Sequence, residues 1–101
     1  MNKRTEARWR RQCQRLYQNE AKEMYASWIQ QANDLASQDE PDEDKYWELK
    51  EIEFKAGMSW EDYIPCGYWP KEMRDDSYKL SCAYQKIWKK IIANKNKSVK
   101  Q

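Results

Sequence analysis

The chain of 101 residues contains no histidine, two glycines, three prolines, three cysteines and a single phenylalanine. Without histidine, neither a Ser-His nor a Cys-His nucleophile can be assembled, and the commonest metal ligand is missing. Two glycines cannot build a glycine-rich phosphate loop. Cys13, Cys66 and Cys82 are odd in number and far apart, which implies neither a disulfide framework nor a C-x-x-C zinc site. No apolar run approaches the roughly 18 residues of a membrane span, and no basic-then-apolar leader pattern opens the chain. These absences lead to the expectation of a cytoplasmic protein with reduced thiols, no cofactor, no metal and no membrane partner.

What the chain does have is charge and aromatic surface. Charged residues make up 36% and apolar ones 40%, with six Trp and seven Tyr. A domain of this length buries only about 60 to 65% of its unfolded surface, so tryptophan and tyrosine must supply most of a thin core. The charges are segregated along the chain. Residues 1–38 carry seven basic and four acidic side chains, residues 39–78 five and thirteen, and residues 79–101 seven and none. A basic, acidic, basic layout either steers a charged partner or neutralises itself within the fold.

Two stripes set the expected architecture. From Asn2 to Ser37 there is neither Gly nor Pro, and Trp9, Cys13, Leu16, Tyr17, Ala21, Met24, Trp28, Ala32 and Leu35 recur every three or four residues, which predicts one long helix. Leu80, Tyr84, Ile87, Trp88, Ile91 and Ile92 predict a C-terminal helix from about Ser77, with Asp75, Asp76 and Ser77 as N-cap candidates, to about Ala93. Between them, Pro41 followed by acids and ending at Gly57 reads as a helix over Pro41–Ala56, and Ser59-Trp60-Glu61-Asp62 as a capping box opening a short turn that Pro65 ends. The rival for 52–56 is a strand, because Ile52, Phe54 and Ala56 alternate with Glu53 and Lys55. The expectation is a single all-α domain spanning 1–101, its long N-terminal helix packed with a C-terminal one, shorter helical elements and an aromatic Pro/Gly loop between, and a frayed basic tail over about 94–101.

Short motifs carry little chemistry. Asp39, Glu40, Asp42, Glu43 and Asp44 lack the alternating ligands and central glycine of a calcium loop. Pro41-Asp42 followed by Glu53-Phe54-Lys55 resembles the PD…(D/E)-x-K signature of a large family of metal-dependent nucleases. That resemblance implies Asp42 and Glu53 as Mg²⁺ ligands and Lys55 beside the attacking water. The family carries the motif on a mixed sheet, for which the sequence offers no further strands. A helix-turn-helix around Gly57 fails because Pro65 falls inside its second helix, which would be acidic where DNA contact needs Arg, Asn or Gln. Arg4, Arg8, Arg11 and Arg15 share one helix face and are the candidate phosphate contacts.

The segment Gly57–Met73 holds both glycines, two prolines, two tryptophans and two tyrosines. Two of Trp60, Tyr63, Ile64 and Trp69 are expected to fold back as core. The candidate contact set drawn from the whole segment is Trp60, Tyr63, Tyr68, Trp69, Pro70 and Met73, with the composition of an interface hot spot. The reading is a non-catalytic protein-binding accessory protein. By association with small, tryptophan-rich chains of phages and mobile elements, its expected target is a host nucleic-acid-processing enzyme complex, which it modulates or inhibits. A prolyl isomerase acting on a cis Trp69–Pro70 bond is a further candidate partner, against a trans bond locked by packing. The alternatives are sequence-nonspecific DNA binding through the basic ends and the nuclease.

Overall fold

A computed structural model of the chain describes residues 3–62 and 68–99. Every regular element among them is helical: α1 Lys3–Leu16, a π-helical turn Tyr17–Ala21, α2 Lys22–Ala36, α3 Glu43–Glu61 and α4 Lys71–Val99. The all-α expectation is met, and the long N-terminal helix packs on the C-terminal one chiefly through α2 and α4. α1, the π turn and α2 form one continuous rod, roughly 50 Å at 1.5 Å per residue.

The π turn has a cause in the residue spacing. Trp9, Cys13, Tyr17, Ala21 and Tyr25 are the inward-facing residues, each four positions after the last. At about 100° per residue each step of four overshoots a full turn by about 40°, so the row would wind off the inward face. One wider π turn inserts roughly one extra residue and returns the row to the core. Cys13, Tyr17, Ala21 and Tyr25 are all buried. The Tyr17 hydroxyl closes this region by donating to the Asp76 carboxylate at 2.6 Å.

The helices run up, down, up. Tyr17 meets Asp76 near the start of α4, and at the other end Lys90 Nζ donates to the carbonyls of Ala36 and Gln38, so α2 and α4 are parallel. α3 returns antiparallel to both, with Glu43 beside Lys95, Tyr46 on Tyr84 and Trp88, and Trp60 on Tyr25 and Trp28. The result is long and thin, 62 × 23 × 18 Å. Its core is one cluster: Tyr25, Trp28 and Leu35 from α2, Tyr46, Leu49 and Trp60 from α3, and Met73, Leu80, Tyr84, Ile87 and Ile91 from α4. Each such side chain contributes about 1.5 to 3 kcal/mol by leaving water. No described helix is long and apolar enough to cross a membrane.

Four element boundaries differ from expectation. α3 starts at Glu43, capped by Asp42, and does not stop at Ala56; it runs through Gly57 to Glu61. Gly57 therefore has a helical, negative φ and is no cap. Ser59-Trp60-Glu61 is the last turn of α3 and opens nothing. The physical reason is the anchoring of α3 by Tyr46 near one end and Trp60 near the other, which rewards an unbroken helix between them. α4 begins at Lys71, where the Pro70 carbonyl accepts from Met73 N and Arg74 N at 3.1 Å each. Asp75, Asp76 and Ser77 lie inside the helix, and Asp76 serves Tyr17 instead of an N-cap. Finally, α4 extends beyond the expected end at Ala93 and is helical through Val99, with Asn94 Nδ2 donating to the Asp39 carbonyl at 3.2 Å and Lys95 paired with Glu43 at 2.8 Å.

Candidate functional site

α3 is clamped so that one flank is inward and another is left bare. Asp42 Oδ1 accepts from Asp44 N at 2.9 Å and Lys45 N at 3.5 Å, satisfying the first turn. Lys95 holds the Glu43 carboxyl below the ordinary carboxylate range. Tyr46 stacks on Trp88 with centroids 5.7 Å apart and meets Tyr84 edge-on at 5.8 Å. With 46, 49 and 60 turned in, helical geometry carries 47, 54 and 58 to the outer flank. Trp47, Phe54 and Met58 are 49%, 66% and 51% exposed. Three large apolar side chains share one stretch of surface.

Beside this row lies a groove of about 290 Å³, lined by Lys50, Glu53, Phe54, Gly57, Met58 and Glu61 of α3 and by Tyr25, Trp69 and Ser77 opposite. Lys50 occupies its aromatic end: Nζ lies 5.3 Å, 5.4 Å and 5.6 Å from the ring centroids of Tyr46, Trp47 and Tyr84 and donates to the Tyr46 hydroxyl at 3.4 Å. Glu53, half-buried, has no hydrogen bond or ion pair among the described residues. Burial pushes its carboxyl up, with the Lys50 charge pulling the other way. Burial first, and the Glu53 charge second, push Tyr25 up to about 12 and Tyr84 further still. Gly57 leaves its side of the groove open, since a methyl group built there would meet nothing within 4 Å. Trp69 Nε1 and the Tyr84 hydroxyl are buried with no partner among the described residues.

No protein-family model, curated protein or solved structure matches the chain.

The residues expected to meet a partner are spread over three environments. Trp60 is 3% exposed and Met73 fully enclosed, so both are core and the contact assignment for them is corrected. They turn inward because Trp60 closes the Tyr25 and Trp28 cluster and Met73 is the first inward residue of α4. Trp69 is half-buried, edge-on to Trp60 at 6.3 Å, and reaches only the groove wall. Tyr68 is half-buried between Trp9, at 5.1 Å, and the Arg10 guanidinium, at 5.6 Å. Pro70 is half-exposed and its bond to Trp69 is trans, so the cis isomer on which a prolyl isomerase would act is not the described state. Tyr63 lies outside the described residues.

The other assignments are separated by distance. Asp42 caps one end of α3 and Glu53 stands eleven positions on, roughly 16 Å along the axis. Lys55 pairs with Glu51 at 3.1 Å on the solvent side. The three do not converge, and no described group of three acids, cysteines or histidines is placed to hold a metal. Arg4, Arg8, Arg11 and Arg15 are all exposed on α1. Sequence reasoning missed Trp47 and Met58 as surface. The signal was the spacing of seven and four from Trp47 through Phe54 to Met58, a helical flank that the alternation of Ile52, Phe54 and Ala56 obscured.

Proposed function

We propose that this chain is a non-catalytic protein-binding module whose docking surface is the outer flank of α3. The observation that carries the reading is the row Trp47, Phe54 and Met58, exposed together along one helix flank, whereas the other exposed large apolar side chains among the described residues are only Ile52, Tyr78 and Ile92. Aromatic and methionine side chains of this kind anchor interfaces, and a contiguous apolar stretch in water marks a contact site. Glu61 and Asp62 edge the row with acidic charge, while Glu51 is paired with Lys55. An acidic, aromatic surface between basic ends suits a target that itself handles nucleic acid, where it would compete with phosphate, and modulation of a host enzyme of that kind in the cytoplasm remains the proposal. The test is capture from lysate followed by affinity measurement with Phe54→Asp. Loss of about 2 kcal/mol or more, with the helical spectrum unchanged, supports the reading. Undiminished affinity removes α3 from the interface.

One observation favours a second activity at the opposite end of the molecule. Arg8, Arg11 and Arg15 are exposed on the face of α1 that points away from Trp9 and Cys13. Such a row can follow phosphates without reading bases.

A further inference from the structure

We propose that the groove beside α3 is the seat of an arginine side chain from the partner protein, entering across Gly57, pairing its guanidinium with Glu53 and lying against Tyr25, Phe54 and Trp69. This rests on the protein-binding reading above and gives the partner a chemistry.

Three observations converge on it. First, Glu53 is a carboxylate in a largely apolar recess with neither hydrogen bond nor ion pair among the described residues. A half-desolvated carboxylate favours a cation that restores the lost hydration, and burial raises its proton affinity for the same reason. Lys50 does not fill that role, because its ammonium is turned onto the rings of Tyr46, Trp47 and Tyr84 at the other end of the groove. Second, the remaining walls are aromatic: Tyr25, Phe54 and Trp69. A planar, weakly hydrated guanidinium stacks on such faces and presents a fork to a carboxylate, which a compact ammonium does not. Third, Gly57 has no backbone reason to be glycine. Its φ is not positive and no atom lies within 4 Å of where its Cβ would stand. Glycine inside a helix costs about 1 kcal/mol relative to alanine, and what it gives in return is an open entrance. Glu53 and Glu61 against Lys50 leave the groove lining with a net negative charge, which also favours a cation.

The experiment titrates the ¹⁵N-labelled full chain with N-acetyl-arginine amide and, in parallel, with the neutral isostere N-acetyl-citrulline amide. The readouts are the Gly57 amide and Trp69 indole signals. Arginine amide is expected to shift both saturably and citrulline amide to leave them in place. Glu53→Gln is expected to weaken binding about tenfold or more, since it removes a charge-assisted pair. That variant removes a desolvated charge and so keeps the fold, which the unchanged spectrum of the remaining amides verifies. Equal response to both probes, indifference to Glu53→Gln, or no response overturns the inference. A captured partner that is lost with Phe54→Asp yet indifferent to Glu53→Gln also overturns it, while leaving the docking surface on α3 standing.

Discussion

Replacing Gly57 by alanine separates two descriptions of α3 by the sign of the stability change. If Gly57 were a C-terminal cap in the left-handed region, as its position after a helical stretch suggests, alanine would cost about 1 to 2 kcal/mol from the clash of its Cβ with the following carbonyl. In the structure Gly57 lies within α3 with no positive φ, and the new methyl would meet nothing within 4 Å. There alanine removes unfolded-state entropy and restores helix propensity, worth about 0.8 to 1 kcal/mol, with no packing penalty to offset it. For a domain of this size a gain of about 1 kcal/mol raises Tm by about 4 to 8 °C. Thermal melts followed by far-UV circular dichroism, with a denaturant series to test two-state behaviour, measure it. A fall in Tm would refute the continuous helix, and with it the placement of Phe54 and Met58 on one flank. The same methyl narrows the groove entrance, so the stabilised variant is expected to bind arginine amide less well.

Three further outcomes are expected. Tyr17 and Tyr25 are each pushed up to about 12 from 10.0, so their neutral forms are favoured by the fold. Their contribution is fully present below pH 10 and is lost as pH rises from 10 to 12, by about 2 to 3 kcal/mol for Tyr25; urea midpoints that stay level across that window would contradict its burial. Tyr17→Phe removes the 2.6 Å bond to Asp76 beside the π turn and should lower stability by about 1 to 2 kcal/mol, whereas an unchanged urea midpoint would show that the bond does not form. Any DNA affinity of the Arg8, Arg11 and Arg15 row should fall with log salt with a slope of about 0.9 per phosphate contact, and sequence-selective binding that survives moderate salt would rule out a phosphate-only contact.

The sequence by itself determined the helical class and the inward faces. Trp28, Ala32 and Leu35 of the first stripe and Leu80, Tyr84, Ile87 and Ile91 of the second became core, because a face that repeats every three or four residues has only one way to leave water, while Met24 of the first stripe stays partly buried at its edge. The row of fours from Trp9 to Tyr25 even encoded the π turn, although reading it required knowing that the row stays inward. Tertiary structure decided the rest. Gly57 and Ser77 look like helix ends locally, yet α3 continues because Tyr46 and Trp60 are both anchored, and α4 starts six residues earlier because Pro70 can open it. Local signals propose several ends of similar energy, and the packing of neighbouring helices selects among them. The same holds for the aromatics: Trp60 and Trp47 are alike in chemistry. One is core because it lands on Tyr25 and Trp28, and the other stays half in water because the inward turn of Tyr46 carries position 47 to the outer flank.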